Sequence, residues 1–321
     1  MYRKNPNSKN DKTYLEDYFD LDEYKASKEK QHFDNRYNKG KKAINLVTLM
    51  IGVFCVVLVF LFSQLVGYYL DLYKNEKINK ESQAVLGDIV APTGNQPLFL
   101  TERKDDSIII KNGDSHLEEN PDENNEVDTP AIKTILPEVI KLRETLGNDD
   151  IVGHVRVQGT NINYTIAQST DNDFYLTKDL NKQENAAGSI YMDSDAKVDP
   201  LSDNIILYGH NMKDGSMFHN IRYYSDYEYF TTNKYINLMT LYENTQWEIF
   251  AFYDTHTDFD YLITDFDSEE RHQEFLNEIT SRSNHLSPIT VTTEDKILTL
   301  STCTNVDENT RFVVHAKLIS R

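Results

Sequence analysis

From Ala43 to Leu70 the chain runs without a single Asp, Glu, Lys or Arg. About twenty such residues in a helix cross the hydrocarbon core of a bilayer, so this run predicts one membrane-spanning helix with polar chain on both sides. A cleaved signal peptide starts near the N-terminus and ends at small residues. Here 42 polar residues come first and the run closes on Gly67, Tyr68, Tyr69 and Leu70, so the segment is expected to stay attached as an anchor.

Orientation follows from the flanks. Arg36, Lys39, Lys41 and Lys42 crowd one side and Asp71 opens the other, which puts the N-terminus in the cytoplasm and everything after Leu70 outside the cell membrane. Before Ala43 there are 11 basic and 8 acidic residues, and after Leu70 there are 22 and 44. With a formal net charge of -19 the chain is a poor match to a phosphate backbone, and no nucleic-acid partner is expected.

Of the two cysteines, Cys55 lies in the apolar run and Cys303 near the C-terminus, so the membrane plane separates them and no intramolecular disulfide is expected. This inventory supplies no cysteine-rich metal site, and neither a metal nor a cofactor is expected. A single exported thiol is either a buried, inert core residue or a reactive one.

Residues 1–42 are charged and Tyr-rich without sustained apolar periodicity, which reads as a mostly disordered cytoplasmic tail. Residues 43–70 form the anchor. Residues 71–130 read as a stalk, helical as far as about Ala84, followed by an acidic linker over Thr101 to Pro130. Residues 131–321 form the exported domain. Its first element is an amphipathic helix carrying Ile132, Ile135, Leu136, Val139, Ile140 and Leu142, kinked or split at Pro137.

Strand-like runs then recur at Ile151 to Val157, Asn161 to Ile166, Asn204 to Tyr208, Trp247 to Tyr253, Lys296 to Thr302 and Arg311 to Ile319. One helical segment, Ser268 to Arg282, interrupts them. The pattern predicts a mainly β domain, closed or nearly closed, with accessory helices. No internal repeat or glycine-rich phosphate loop is present.

Thr299-Leu300-Ser301-Thr302-Cys303 ends a strand, where side chains emerge at a sheet's rim. Eight residues on, Arg311 opens the next strand, and the short connection makes the two strands neighbours. A third strand stops at Gly209 and delivers His210. Acyl transfer by a thiol needs a nucleophile, a proton-transfer group and a donor for the tetrahedral oxyanion, and Cys303, His210 and Arg311 fill these roles without a metal. His315 is the rival base, on Arg311's face but four positions along the strand, ~13 Å at about 3.3 Å per residue.

Singly, each residue also has an ordinary structural reading. Together, the order of His210, Thr299 to Cys303, and Arg311 resembles the sortases, with wording close to class B. Asp171 to Leu176, Gly188 to Asp193, Tyr208 to Phe218 and Val313 to Leu318 are similar to class B segments as well, so the resemblance covers Ile151 to Leu318.

This resemblance implies a sortase-type eight-stranded β-barrel preceded by one transmembrane helix. It implies a cysteine transpeptidase that cleaves the C-terminal sorting signal of a secreted protein after Thr, through a thioester on Cys303. The acyl group then passes to an amine of a peptidoglycan precursor. It further implies a sorting-signal groove lined by Asn172, Leu176, Tyr208 and Ser301. A pilin-polymerising enzyme, a water-accepting cysteine protease and a catalytically silent, membrane-tethered peptide-binding module use the same residues and stay open from sequence.

Overall fold

A computed structural model of the chain describes residues 21–87, 133–304 and 309–321. The first twenty residues of the tail and the acidic linker lie outside the described residues. The chain divides into two compact units with the boundary between Tyr69 and Leu70.

The first described element is one uninterrupted helix, α1, from Leu21 to Leu86. At 1.5 Å per residue its 66 residues extend for roughly 100 Å. The described part of the tail is therefore helical rather than disordered. Residues 21–42 include six Lys together with two Glu, one Arg, one Gln and one Ala, all good helix formers, and the apolar run that follows extends the same hydrogen-bond ladder. Within 43–70 the large apolar side chains are exposed, Val47, Phe54, Phe60 and Phe62 among them. α1 is the one described helix long and apolar enough to cross a membrane.

The continuation beyond Leu70 is more than a stalk. Asp71, Asn75, Ile78, Ser82 and Leu86 recur at helical spacing on one face. Ile78 and Leu86 are buried at 6% and 1% exposure, in a cluster with Val139, Leu142 and Leu146 of a second helix and with Ile151, Ala167, Tyr175 and Tyr191. Each such side chain contributes roughly 1.5–3 kcal/mol on burial. Gln83 adds a 3.0 Å hydrogen bond from its amide to the carbonyl of Asn163.

That second helix, α2, spans Pro137–Leu146. The helix begins at Pro137, so Ile135 and Leu136 precede it rather than belong to it and Ile132 lies outside the described residues; no kink occurs, because the proline occupies the first turn, where a missing N–H costs nothing. Gly147 ends the helix in the left-handed region at φ 61°, its N–H returning to the carbonyl of Arg143.

Eight strands follow: β1 (Ile151–Val157), β2 (Asn163–Ala167), β3 (Ile190–Met192), β4 (Asn204–Tyr208), β5 (Tyr235–Met239), β6 (Asn244–His256), β7 (Ile297–Cys303) and β8 (Thr310–Ser320). They close a barrel in the order β1-β2-β3-β4-β7-β8-β6-β5. The β2/β3 and β4/β7 pairs are parallel and the rest antiparallel. A short helix α3 (Tyr227–Thr232) precedes β5, and its N-cap Asp226 accepts from the N–H of Tyr229.

Helix α4 (Glu269–Ser281) realises the predicted Ser268 to Arg282 segment from cap to cap. Ser268 Oγ accepts from the N–H of Arg271, and Arg282 is the C-cap. Phe275, Leu276 and Ile279 on its inner face pack against Phe250, Tyr253, Tyr261, Ile297 and Val313. This second layer backs the strands that carry the thiol.

Candidate active site

Cys303 is the last residue of β7 and sits directly opposite Arg311 in the antiparallel β7/β8 ladder. Opposed residues project from the same face with Cβ atoms roughly 4.5–5.5 Å apart, so thiol and guanidinium share one side of the barrel wall. Both are half-buried. One Arg311 terminal nitrogen donates to the carbonyl of Thr310 at 3.0 Å.

β4 runs parallel beside β7 with Tyr208 paired to Ser301. The next peptide continues the contact, Gly209 N–H donating to Ser301 O at 3.2 Å. His210 and Asn211 therefore leave the barrel beside Cys303. Asn211 Nδ2 donates to the carbonyl of Cys303 at 3.0 Å, tying the histidine loop to the thiol's own backbone.

The imidazole of His210 donates from Nε2 to the carbonyl of Leu176 at 2.8 Å. A carbonyl oxygen only accepts, so Nε2 carries hydrogen in either charge state of the ring. Nδ1 is left as the position that takes up and releases a proton.

The rival His315 is fully buried opposite Thr299, four positions from Arg311 along β8. It is held by the Tyr253 hydroxyl at 2.7 Å and Thr299 Oγ1 at 2.9 Å. Burial lowers its pKa to about 3, so it is a neutral core residue at ordinary pH.

The four expected groove residues fall into two groups. Asn172 and Tyr208 converge on a carboxylate that sequence reasoning did not single out, Asp193, which is 4% exposed. Asp193 Oδ2 accepts from Asn172 Nδ2 at 2.9 Å and from the Tyr208 hydroxyl at 2.7 Å, and Oδ1 accepts from the N–H of Asp195. Asn172 also accepts from the N–H of Ser194. Of the four, Leu176 has the exposed side chain, and it supplies the carbonyl that holds His210. Ser301 is buried, its hydroxyl bonded to that of Tyr261 at 2.8 Å.

Tyr191 and Tyr261 also border the thiol without having been singled out individually. Burial, first of all, pushes both hydroxyls up. At Tyr191, the neighbouring acidic groups Asp173, Cys303 and Asp193 act in the same direction as burial while Arg311 opposes it. At Tyr261, the Ser301 hydrogen bond and Arg311 oppose burial while Cys303 reinforces it. Tyr191 was inside a quoted segment, Gly188 to Asp193. Tyr261 belongs to no local motif, and only the packing of its loop onto β7 reveals it.

The Cys303/Arg311 pair and the His210 loop, tied by Asn211 to the carbonyl of Cys303, thus lie at one rim of a closed barrel. Residues 155–319 match the sortase domain family model. Sortase B of Listeria monocytogenes is 39% identical over 176 residues, which cover 54% of this chain and 72% of that protein. The sortase B–substrate complex of Staphylococcus aureus aligns with a TM-score of 0.55 at 35% identity, covering 58% of this chain and 87% of that one. Sortase B of Bacillus anthracis in complex with AAEK1 gives a TM-score of 0.60 at 32% identity, covering 79% and 100%.

The chain belongs to the sortase family. Within it, the chain is a class B member, a cysteine transpeptidase with an extracytoplasmic catalytic barrel, and among the described residues one helix, α1, is long and apolar enough to anchor it in a membrane.

Proposed function

We propose that Cys303 is the nucleophile, His210 the proton-transfer group and Arg311 the oxyanion donor of a transpeptidase acting on the C-terminal sorting signals of secreted proteins. The observation that carries this reading is the cross-strand pair of Cys303 and Arg311, with Asn211 fastening the His210 loop to Cys303. The Cys303 thiol passes its proton to His210 Nδ1, its Sγ attacks the carbonyl carbon of the Thr itself, and the developing oxyanion is drawn to the Arg311 guanidinium. His210 delivers a proton from Nδ1 to the departing amine as the C–N bond breaks, leaving a thioester.

The acceptor, an amine of a peptidoglycan precursor, then loses a proton to His210 and attacks the thioester, and the Cys303 thiolate departs. Such proton transfer contributes typically 10²–10⁴-fold, and one oxyanion donor about 10²–10³-fold. The charge asymmetry about the apolar run supports a cytoplasmic N-terminus. The groove is assigned to the surface around Leu176, with Asn172, Tyr208 and Ser301 shaping it through Asp193 and Tyr261.

Incubation of the full-length chain with peptides carrying Thr before the scissile bond, with and without an amine acceptor, tests the scheme. Intact-mass analysis should find an acyl adduct on Cys303 that the amine discharges as a transfer product. Discharge to the hydrolysed peptide alone, whatever the amine concentration, would replace transfer by proteolysis. Binding with no adduct would leave a silent peptide receptor.

A further inference from the structure

The carbonyl that holds His210 belongs to Leu176, at the end of the one-turn 3-10 helix Phe174–Leu176. That turn rests on the strap Asn185–Ser189. Asn185 N–H donates to Thr177 O at 2.9 Å, Ser189 N–H to Tyr175 O at 3.0 Å and Ser189 Oγ to Lys178 O at 2.8 Å. Gly188, at φ +55°, lies so close beneath the turn that a Cβ there would collide with the carbonyl oxygens of both Tyr175 and Leu176. Strap and turn therefore move as one piece.

From its other side the strap is gripped by α1. Asn75 Nδ2 donates to the carbonyl of Gly188 at 3.2 Å, and Asn185 Nδ2 donates to the carbonyl of Asp71 at 3.0 Å. The N–H of Ala186 reaches Asp71 Oδ2 at 3.4 Å. These polar contacts continue the helical stripe that buries Ile78 and Leu86, so the grip stands on an independently packed base. A run of contacts thus joins the helix to the imidazole: Asn75 to Gly188, Gly188 under Leu176, Leu176 to His210.

We propose that α1 is a positioning element of the active site, with Asn75 and Asn185 as positioning residues that set the Leu176 carbonyl and through it the Nε2–H tautomer and orientation of His210. The proposal rests on His210 being the proton-transfer group. It extends the role of the exported part of the membrane-anchoring helix from tethering to catalysis. A displacement near 1 Å at a reacting group costs up to about 10²-fold in rate, and loosening a carbonyl that remains chain-linked costs part of that.

The test uses the full-length chain in lipid nanodiscs, comparing wild type, the double variant Asn75→Ala with Asn185→Asp, and Gln83→Ala. The aspartate keeps the acceptor that Asn185 offers to the N–H of Ala187, and it breaks the contact with Asp71 both by removing the donor and by setting a buried carboxylate against the Asp71 carbonyl. Gln83→Ala loosens the same helix where it touches Asn163, away from the strap. Two readouts are taken. One is the 15N spectrum of the neutral His210 ring under selective histidine labelling, assigned with His210→Gln. The other is kcat and KM on a fluorescence-quenched peptide with Thr at the cleaved position.

Wild type should show the Nε2–H tautomer. The double variant should show a mixture of tautomers and a kcat lower by about tenfold, with KM within about twofold. Gln83→Ala should match wild type in both. A double variant with a wild-type tautomer overturns the proposal, as does a Gln83→Ala protein that loses tautomer and kcat to the same degree. Full turnover by His210→Gln would refute the catalytic role of His210, while the tautomer signal independently decides whether the helix controls the ring.

Discussion

Cys303 and Arg311 are direct partners in the β7/β8 ladder, so their spacing is set by backbone hydrogen bonds and not by the flexibility of a loop. In the proposed scheme, a thiol and a planar five-donor cation held this way act on one carbonyl group from one side of the barrel wall.

The pairing predicts that Arg311→Lys, which retains charge and loses the fork, lowers kcat by about 10²-fold, and that Cys303→Ala abolishes acyl-adduct formation. Steady-state kinetics and intact mass after peptide incubation measure both. Wild-type kcat in Arg311→Lys would remove the guanidinium's geometry from the mechanism.

Asp193 is expected to be indispensable to the groove although it touches no reacting atom. Asp193→Ala leaves the Tyr208 hydroxyl and the Asn172 amide without their shared acceptor, a loss of about 1–3 kcal/mol per stranded group. Urea denaturation should show the lost stability, and peptide titration should show a raised KM. Tyr208→Phe, which removes donor and hydroxyl together, should be milder in both.

Stability should fall with acid before any carboxylate is involved. Burial, the largest influence at each, holds His154 at about 4 and His315 at about 3, below an unfolded value of 6.5. The unfolded chain therefore binds more protons between pH 6.5 and those values. Stability is complete above about pH 6.5 and declines by up to ~1.4 kcal/mol per pH unit per histidine down to about pH 4 and 3. His315→Gln should flatten that slope in denaturation curves taken from pH 7 to 4. An unchanged slope would mean that His315 opens to solvent before it titrates.

Ile78 offers a test of how firmly α1 belongs to the barrel. Ile78→Ala should cost 2–5 kcal/mol, the usual range for a buried Ile, and lower the melting temperature of the exported unit. A cost below about 0.5 kcal/mol would reduce the docking to a loose apposition.

Much of the fold was legible in local pattern. Alternation marked β1, β7 and β8, a continuous apolar run stopped by Gly209 marked β4, and Phe275 and Ile279 at helical spacing marked α4. β3 and β5 were not marked as strands: three residues give β3 no period, and β5 carries Tyr235, Asn237 and Met239 around its two fully buried positions. The site was legible as residue types at strand ends, but its supports were not. Asp193, Tyr261 and the Leu176 carbonyl act across 15, 40 and 34 residues of sequence, and their partners become visible only once the barrel is closed.

The parallel pairing of β4 with β7 joins Asn204 to Ile297 and Tyr208 to Ser301 across more than ninety residues. Contacts of such long sequence separation form late, since chain entropy must be surrendered before they repay it. The histidine loop and the thiol strand therefore meet only when the barrel shuts. Until then, the local β7/β8 pair of Cys303 and Arg311 has no His210 imidazole beside it. Closure of the barrel is thus the step at which the proposed centre is assembled.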